Sequence, residues 1–436
     1  MTSTLLNFHR LNAPKLCKMS NGLTIIVEQI PVEAVNLSLW TNIGSALESD
    51  AINGMAHFLE HMIFKGTEKL MSGEFERLIE ERGAITNAAT SQDYTHYYIT
   101  TAPKDFASLA PLQIDVVLNP SIPDDDFERE RSVVLEEIRR AEDNPKRRIF
   151  RRSMEMAFNN LPYRRPILGP ESVISGLQPQ QMRDFHEIWY HPPSITAVAV
   201  GNLPVEELLE TVEEGFITAG IRTDEGVFDR TVDRTFDKWS QIKPEEKFTE
   251  IVREEYVDES LQQARLIMVW KVPGINQLPD TYALDMLAGV LGHGKTSRLF
   301  RDLREERGLV SYIGVSNMTN RLQGTFYISA YCNADDINAV ETAIVEHIQN
   351  IQSSPVTELE INKVRKRVAN RFIFANEKPS DRAGLYGYYQ TLVGDLQPAF
   401  DYPSLIQQQD AEDLQLAARR YLSPDAYGVL AVKPAH

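Results

Sequence analysis

The stretch Gly54-Met55-Ala56-His57-Phe58-Leu59-Glu60-His61-Met62 decides how the fold of this chain is interpreted. Two histidines four residues apart lie one above the other on a helix, so their imidazoles can converge on one metal ion. Glu60 precedes the second histidine and leans toward the same site, where it could act on a metal-bound water. The order H-x-x-E-H reverses the more common H-E-x-x-H and is itself a catalytic motif. Five such residues also arise by chance, and a histidine on an apolar helix is often a core residue.

A second segment offers the third ligand that such a site needs. A catalytic zinc usually takes three protein ligands and keeps a fourth position for water. Residues 127–138 are typical of an amphipathic helix, which follows Pro123 and an acidic start at residues 124–126. Glu130 and Glu137 are seven residues apart in it and therefore share one face. Because glutamates on such a helix are usually solvated, both are candidates only, as a ligand and as a residue that supports one.

These residues together resemble a known family. The chain from Leu23 to Pro145 is similar to the catalytic half of the pitrilysin and mitochondrial-processing-peptidase family of zinc proteases, the inverted zincins. The family's last ligand is the glutamate that ends a V-V/I-L-x-E element about 76 residues after the second histidine, and 137 − 61 = 76 selects Glu137 over Glu136. The matching positions are Gly22-Leu23-Thr24, Gly44-Ser45, Gly54, Ala56-His57-Phe58-Leu59-Glu60-His61-Met62, Phe64-Lys65-Gly66-Thr67, Asn87-Ala88, Thr90-Ser91, Asp93, Tyr97-Tyr98 and the helix from Glu130 to Glu137.

The resemblance implies a role for each matching residue. His57, His61 and Glu137 would hold one Zn²⁺ per chain, with Glu60 as general base and then general acid. Glu130 would complete the catalytic set by orienting a histidine ligand. Asn87 and Ala88 would lie on an edge strand to which a peptide substrate adds as a further strand. Such main-chain pairing tolerates many sequences, so the substrate's identity is weakly encoded.

A segment of the second half also matches the family, with one departure. Residues 297–310 resemble its S-R-L-F-x-x-L-R-E element, in which an arginine and a following tyrosine contact substrate near the scissile bond. Arg304 matches the arginine, but Ser311 stands at the tyrosine's place and Tyr312 follows one residue later. A shift of one residue on a strand turns a side chain to the other face. Either a local bulge restores Tyr312, or a partner chain supplies the contact; Arg304 could also be a surface charge paired with neighbouring glutamates.

An internal duplication organises the whole chain. Residues 37–41 resemble 266–270, residues 194–200 resemble 425–432, and the Pro145 and Pro379 positions both follow a helical run. The offsets of 229, 231 and 234 residues are nearly equal, which predicts two copies of one domain. We therefore expect an α+β fold with a zinc-binding domain at 1–222, a linker at 223–247 and a duplicated domain without zinc at 248–436. Each copy should be a largely antiparallel sheet covered by helices on one face, which the resemblance describes as an α/β roll.

A second motif favours a different function. Residues 289–296 fit G-x-x-x-x-G-K-T, the phosphate-binding loop of nucleotide hydrolases. That loop requires a buried strand before the first glycine and a helix at its end. Residues 281–288 correspond to the first copy's metal helix and are predicted to be helical themselves. No apolar strand ending in aspartate lies nearby to bind magnesium, so nucleotide binding is disfavoured.

Composition excludes several classes of protein. The chain has 436 residues, is 42% hydrophobic and carries a net charge of −17, which argues against nucleic-acid binding and anionic membranes. That charge would favour cationic peptides, although a solvated acidic surface is the more ordinary explanation. No apolar stretch approaches the roughly 18–20 residues of a membrane span, and the N-terminus resembles neither a secretory signal nor a transit peptide. Two cysteines, Cys17 and Cys332, suggest a reducing compartment, either the cytoplasm or an organellar matrix after trimming.

The sequence thus predicts a zinc-dependent endopeptidase or oligopeptidase that hydrolyses peptides or unfolded segments. Members of the family of this length pair to enclose a chamber, which implies a homodimer or a heterodimer with a sister subunit lacking zinc. Two alternatives from other classes remain. One is a catalytically silent assembly subunit, from which the ligand set would usually have eroded, and the other is nucleotide hydrolysis through residues 289–296.

Overall fold

Eleven strands form two sheets in the part of the chain that the computed structural model describes, residues 13–221, 239 and 245–435. The strands are β1 (Lys15–Lys18), β2 (Thr24–Gln29), β3 (Val35–Thr41), β4 (Ile85–Thr90), β5 (Thr95–Thr101), β6 (Ile195–Gly201), β7 (Val252–Val257), β8 (Ala264–Pro273), β9 (Val310–Met318), β10 (Gln323–Cys332) and β11 (Gly428–Lys433). The predicted linker at 223–247 falls mostly outside the described residues.

Helices supply the rest of the regular structure. They are α1 (Met55–Ile63), α2 (Glu74–Glu81), α3 (Pro103–Leu118), α4 (Asp124–Asp143), α5 (Pro145–Ala157), α6 (Glu171–Ile174), α7 (Pro179–Trp189), α8 (Val205–Thr218), α9 (Tyr282–Gly292), α10 (Ile337–Ser353), α11 (Glu358–Phe374), α12 (Pro379–Val393), α13 (Gln397–Gln408) and α14 (Ala411–Tyr421), with a π-helical turn at Phe300–Glu306. Within the described ranges, no helix combines the length and the apolar character needed to cross a membrane.

The two sheets repeat one topology. The first has the order β1-β2-β6-β3-β5-β4 and the second β7-β11-β8-β10-β9, so the second matches the first without its β1 strand. All neighbouring strands are antiparallel except β2 with β6 and β7 with β11, which occupy equivalent places and are parallel. Identical order and identical strand directions confirm the predicted duplication and the largely antiparallel α+β fold.

The central strands of the first sheet are buried on both faces. Every residue of β3 and of β6 is buried, whereas β4 and β5 at the far edge alternate between more and less exposed positions. One face packs into the main core with helices α1, α3 and α8, and the other packs against α12. This explains why β6 is an unbroken run of apolar and small residues rather than an alternating one. Helices therefore cover part of the second face as well, which the sequence did not predict.

Each compact unit takes one helix from the opposite half of the sequence. The first unit includes Phe372–Phe400, whose helix α12 packs on β3 and β6. The second unit includes Ala141–Arg164, whose helix α5 packs on β8 and β11. The compact units therefore do not follow the predicted contiguous ranges 1–222 and 248–436. The repeat pairs the helices that end before Pro145 and Pro379, which are α4 and α11, and α5 and α12 follow them at equivalent places. Sequence similarity does not specify which sheet α5 and α12 cover.

Close backbone approach and a buried ion pair attach α12 to the first sheet. A Cβ on Gly387 would lie 2.1 Å from Nε1 of the Trp40 indole, so only glycine allows this approach. One turn away, buried Glu28 on β2 accepts hydrogen bonds from Arg382 Nη1 at 2.6 Å and from the Tyr386 hydroxyl at 2.8 Å. The charged groups between α12 and the sheet, Glu28 and Arg382, are thus paired, as burial requires.

The nucleotide-loop hypothesis is not supported by the fold. Helix α9 contains Gly289 and continues to Gly292, so a helix rather than a buried strand leads into the glycine-rich sequence. The helix predicted over 281–288 is present as most of α9. Backbone N–H groups within a helix are already bonded and cannot cradle a phosphate.

Substitution of Gly387 tests the attachment of α12. Gly387→Ala should lower the free energy of unfolding by about 1–3 kcal/mol, the usual cost of overpacking, because its methyl group would clash with Trp40. Gly384→Ala in the same helix is the matched control, since nothing lies within 4 Å of its Cβ position. That control should gain up to about 1 kcal/mol from helix propensity. Denaturant unfolding measures both, and equal effects of the two substitutions would contradict the proposed close approach.

Candidate metal centre

Helix α1 carries both histidines of the motif on one side. It begins after Gly54, which adopts a φ of +97° and whose Cβ position would lie 2.6 Å from the carbonyl oxygen of Leu168, so this helix start requires glycine. His57 and His61 follow one turn apart, with ring centroids 4.9 Å from each other. His57 is 8% exposed, because α1 lies mostly within the core of the first unit.

Helix α4 brings the third candidate ligand, Glu137, to the same place. The Glu137 carboxylate oxygen Oε2 lies 3.5 Å from His57 Nε2 and 3.6 Å from His61 Nε2. The rings of Phe58 on α1 and Phe127 on α4 are fully buried and pack against each other with centroids 4.5 Å apart, which holds the two helices together. The three ligand atoms lie within 4.8 Å of one another. Two imidazole nitrogens and one carboxylate oxygen are the donor set of many catalytic zinc sites, so these residues fit zinc.

Burial and neighbouring groups shift the pKa values of the two imidazoles in opposite directions. Burial and the nearby His61 lower the pKa of His57 to about 4, against a smaller opposing effect of Glu137. Burial also lowers the pKa of His61, but hydrogen bonds to Glu137 and Glu130 outweigh it and leave a net rise. His57 is therefore neutral at pH 7, which is the form that binds a metal.

Glu130 contacts the candidate ligand His61 from the side away from Glu137. Its Oε2 lies 3.3 Å from His61 Nδ1, the ring nitrogen that does not face Glu137, and its Oε1 accepts from Lys65 Nζ at 2.7 Å. A carboxylate on the outer ring nitrogen fixes the tautomer and orientation of a ligand histidine and raises its basicity. The structure therefore places Glu130 beside the candidate ligand His61, and its positioning role stays a prediction.

Glu60 lies next to the ligands and is oriented by a different element. Thr90 Oγ1 at the end of β4 donates to Glu60 Oε2 at 2.5 Å. Burial raises the pKa of the Glu60 carboxyl, and the Thr90 hydrogen bond offsets part of that rise. A carboxylate with a raised pKa is a better proton acceptor than an exposed one, as general-base catalysis requires.

The strand that ends at Thr90 forms the free edge of the first sheet. Strand β4 pairs with β5 on one side, and no other described strand pairs with its outer side. Asn87 is exposed and Ala88 half-buried within it. An edge of this kind presents unpaired N–H and C=O groups that another strand can bind. Because β4 also carries the Glu60 partner, a peptide paired along it would run toward the metal centre.

The second unit contains the bulge that was one of two expected outcomes at Tyr312. In the pairing of β9 with β10, Val310 lies opposite Cys332 and Tyr312 opposite Tyr331, which leaves Ser311 as the extra residue. Val310 and Ile313 are both buried, while Ser311 and Tyr312 are both exposed. In an uninterrupted strand, the residue after buried Val310 would be exposed and the next one buried. The bulge adds one residue, so Tyr312 is exposed as well as Ser311.

Arg304 occupies the π-helical turn before β9. Its guanidinium lies 4.8 Å from the centroid of the Phe300 ring, and the side chain is exposed. The ion pairs of this turn join Arg301 with Glu306 and Asp302 with Arg307. In the described part of the chain Arg304 itself makes no salt bridge, so pairing with neighbouring glutamates does not account for it.

Comparison with known families agrees with this geometry. The family model described as Insulinase (Peptidase family M16) matches residues 24–171, and the one described as Peptidase M16 inactive domain matches residues 176–368. The two matches adjoin and together span most of the chain. This chain belongs to peptidase family M16. The first match contains all three metal-ligand candidates, and the second covers most of the sheet that lacks them.

Individual relatives match the M16 chain over nearly its whole length. It is 26% identical over 423 residues to an uncharacterized zinc protease of Mycobacterium tuberculosis, covering 97% of this chain and 93% of that protein. It is 26% identical over 422 residues to the zinc protease PqqE of Helicobacter pylori, covering 95% and 92%. The crystal structure of a protease from Helicobacter pylori superposes with a TM-score of 0.87 at 25% identity, covering 97% and 99%. A putative M16-like peptidase from Alicyclobacillus acidocaldarius shares the fold, with a TM-score of 0.81 at 20% identity over 100% of both chains.

One residue that the sequence analysis missed supports the metal helix of this M16 protein. Glu48 is 3% exposed and accepts hydrogen bonds from the backbone N–H of Gly54 at 2.8 Å and of Ala56 at 2.7 Å. The Asn53 amide donates to the same carboxylate at 2.9 Å and to the Pro166 carbonyl at 3.0 Å. Burial raises the pKa of Glu48 to about 7 against these hydrogen bonds. Its only sequence signal is an acidic residue shortly before a predicted helix start, which is too common to single it out.

Metal content tests the ligand assignment. Purified M16 protein should bind about one zinc ion per chain, because only the first unit brings such a ligand set together in the described residues. His57→Ala, His61→Ala and Glu137→Gln should each lower zinc content strongly in metal analysis by mass spectrometry. Glu136→Gln is the matched control, since Glu136 is exposed on the same helix and pairs with Arg140. Full zinc content in the Glu137 variant would contradict the assignment.

Substitution of Glu48 tests the support of α1. Glu48→Ala leaves the N–H groups of Gly54 and Ala56 buried without acceptors, which should lower the free energy of unfolding by about 1–3 kcal/mol. His57 lies in the same first turn, so zinc affinity measured by competition with a chelator should fall too. Glu48→Gln, which keeps one carbonyl acceptor, should be intermediate in both measurements. Unchanged zinc affinity in folded Glu48→Ala would show that His57 does not depend on this carboxylate.

Proposed function

We propose that this protein is a zinc-dependent endopeptidase or oligopeptidase. The observation that carries the proposal is the convergence of His57, His61 and Glu137 beside a separate, half-buried carboxylate, Glu60. Three ligands leave one coordination position for water, as in catalytic rather than structural zinc sites. The names of the relatives, zinc proteases in both cases, support the same reaction class. The complete ligand set also favours an enzyme over a silent assembly subunit of the same fold.

The proposed substrates are peptides or unfolded segments that bind in an extended conformation. The free edge of β4, with Asn87 and Ala88, offers main-chain groups to such a peptide. Recognition through the backbone accepts many sequences, because the hydrogen bonds do not depend on side chains. The direction of β4 brings the bound backbone to Thr90 and hence to Glu60.

The residues of the site divide the proposed reaction between them. A zinc ion held there would polarise the scissile carbonyl and lower the pKa of water. Glu60 accepts the proton of the attacking water and later donates it to the leaving amine. Glu130, held by Lys65, keeps His61 in the orientation and tautomer needed for binding.

The second unit and a second chain complete the proposal. Arg304 and Tyr312 are proposed to contact the substrate, and the bulge at Ser311 supports this for Tyr312 because it leaves that side chain exposed. We also propose that the chain pairs, as a homodimer or with a sister subunit lacking zinc, to enclose a chamber around the peptide. Both cysteines are buried and neither forms a disulfide, which supports a reducing compartment such as the cytoplasm.

Replacement of Glu60 distinguishes the role of a proton acceptor from that of a metal ligand. Zinc-loaded wild-type protein should cleave a quenched fluorescent peptide and lose this activity to a chelator. Glu60→Gln should keep its zinc, since all three ligands remain, while turnover falls by a factor on the order of 10² or more. The exposed Glu80→Gln serves as control and should match the wild type in both measurements.

Each contrary outcome identifies a different error. Loss of zinc from Glu60→Gln would make Glu60 a ligand rather than the general base. Absence of cleavage by zinc-loaded wild-type protein, alone and with a copurified partner, would favour the silent assembly subunit.

A further inference from the structure

The exposed face of the second sheet carries a row of three side chains across neighbouring strands. Arg265 on β8 lies opposite Tyr331 on β10, and Tyr331 lies opposite Tyr312 on β9. The Arg265 guanidinium is 3.6 Å from the centroid of the Tyr331 ring, which is in turn 4.7 Å from the Tyr312 ring. The row therefore forms a continuous series of contacting side chains that ends in a cationic group, and the bulge at Ser311 places Tyr312 at its other end.

Small residues in the next row form the floor of a groove. Two positions along the strands, Ser329 pairs with Gly314, and a Cβ on Gly314 would lie 2.5 Å from the Tyr312 hydroxyl. Tyr327 on β10 bounds the far side, with the Phe150 ring of α5 at a centroid distance of 5.9 Å. The resulting groove has a volume of about 850 Å³ and is lined entirely by residues of the second unit. Such a volume accommodates amino-acid side chains.

The charge of the groove is opposite to that of the whole protein. Its lining includes Lys146, Arg147 and Arg265 and no acidic residue, in a chain of net charge −17. Arg265 is half-buried, yet its hydrogen bonds go to the backbone carbonyls of Gln263 and Ala264, and no described carboxylate forms a salt bridge with it. Two other half-buried arginines of this unit do have carboxylate partners, namely Arg148 with Asp258 and Arg298 with Glu360.

We propose that this groove binds a peptide segment in which an acidic side chain lies near an aromatic or large aliphatic one. The carboxylate of the peptide pairs with Arg265, whose planar guanidinium is oriented by Tyr331 and keeps N–H donors free. The apolar side chain lies over Gly314 and Ser329 between the tyrosine rings. The inference rests on the proposed peptidase function and assigns it a preference for acidic, apolar segments, contrary to the cationic substrates that net charge alone would favour.

Binding without turnover tests this preference. The full-length, zinc-loaded Glu60→Gln protein is titrated with labelled peptides that are amidated at the C-terminus and contain a Glu–Phe pair, or Gln–Phe or Glu–Ala instead. The Glu–Phe peptide should bind most tightly, and Arg265→Gln added to this protein should weaken it about tenfold or more, the scale of a lost charge-assisted hydrogen bond. The same substitution should leave the affinity for the Gln–Phe peptide unchanged. Arg265→Lys should restore part of the difference.

Two further variants separate charge from shape. Arg420→Gln removes an exposed positive charge of the same unit outside the groove and should leave all affinities unchanged. Gly314→Val fills the floor of the groove. It should weaken binding of the Glu–Phe peptide and leave the affinity for the Glu–Ala peptide unchanged. Circular dichroism and zinc content confirm that each variant is folded and loaded.

The results that overturn the inference differ from those that overturn the peptidase. Equal affinity of the wild-type groove for Glu–Phe and Gln–Phe peptides rejects the acidic preference even if both peptides are cleaved. Binding that appears only when the peptide carries a free C-terminus rejects it too, because the anion would then be the terminal carboxylate. Binding that depends on Arg265, in a protein whose wild-type form cleaves no peptide, rejects the peptidase and leaves the groove's preference intact.

Discussion

The metal centre requires several polar groups to be held inside an apolar layer, and much of the first unit serves that requirement. His57 is almost completely buried, with α1 and α4 locked together by the Phe58 and Phe127 rings. Each carboxylate near the ligands has its own partner, Thr90 for Glu60 and Lys65 for Glu130. A carboxylate buried without a partner would be costly, which explains why these partners are present. Each hydrogen bond also fixes the orientation of its carboxylate. The orientation of His61 thus depends on a hydrogen bond to Glu130, which lies outside the motif of α1.

The two units show how one scaffold supports different chemistry. Strand order and direction are the same, and α9 stands where the repeat places α1. In the second unit, a Cβ on Gly292 of α9 would lie 2.3 Å from the Val315 side chain, so this helix packs directly on β9. The ligand cluster found in the described residues belongs to the first unit alone. What the second unit offers instead is an exposed sheet face with aromatic and cationic side chains.

Charge illustrates why composition and local structure give different answers about ligands. A net charge of −17 acts over the whole surface and is screened within about 10 Å at ordinary ionic strength. A peptide in the groove of the second unit would meet Arg265 at contact distance, where screening is weak. The charged groups nearest the bound peptide therefore decide which peptide charge is preferred. Composition does not show where in the fold those groups lie.

The sequence by itself determined the elements with a local or periodic signal. His57, Glu60 and His61 share one short helix, and the near-equal offsets of the repeats revealed two copies of one domain. The spacing that resembles the M16 pattern also separated Glu137 from Glu136, which the helix alone does not do. The helix predicted over residues 281–288 was confirmed for the same reason, because helix formation depends largely on neighbours in sequence.

Only the tertiary structure decided which distant groups meet. Helices α5 and α12 pack on the sheet of the opposite half, because either equivalent sheet offers an apolar face to an apolar helix. Glu48 is identified as a support of α1 only when its burial and its backbone partners are known. The bulge at Ser311 depends on pairing with a strand about 20 residues away, and one inserted residue decides the face that Tyr312 occupies. Sequence patterns record local periodicity, whereas pairing, packing and buried hydrogen bonds depend on the folded chain as a whole.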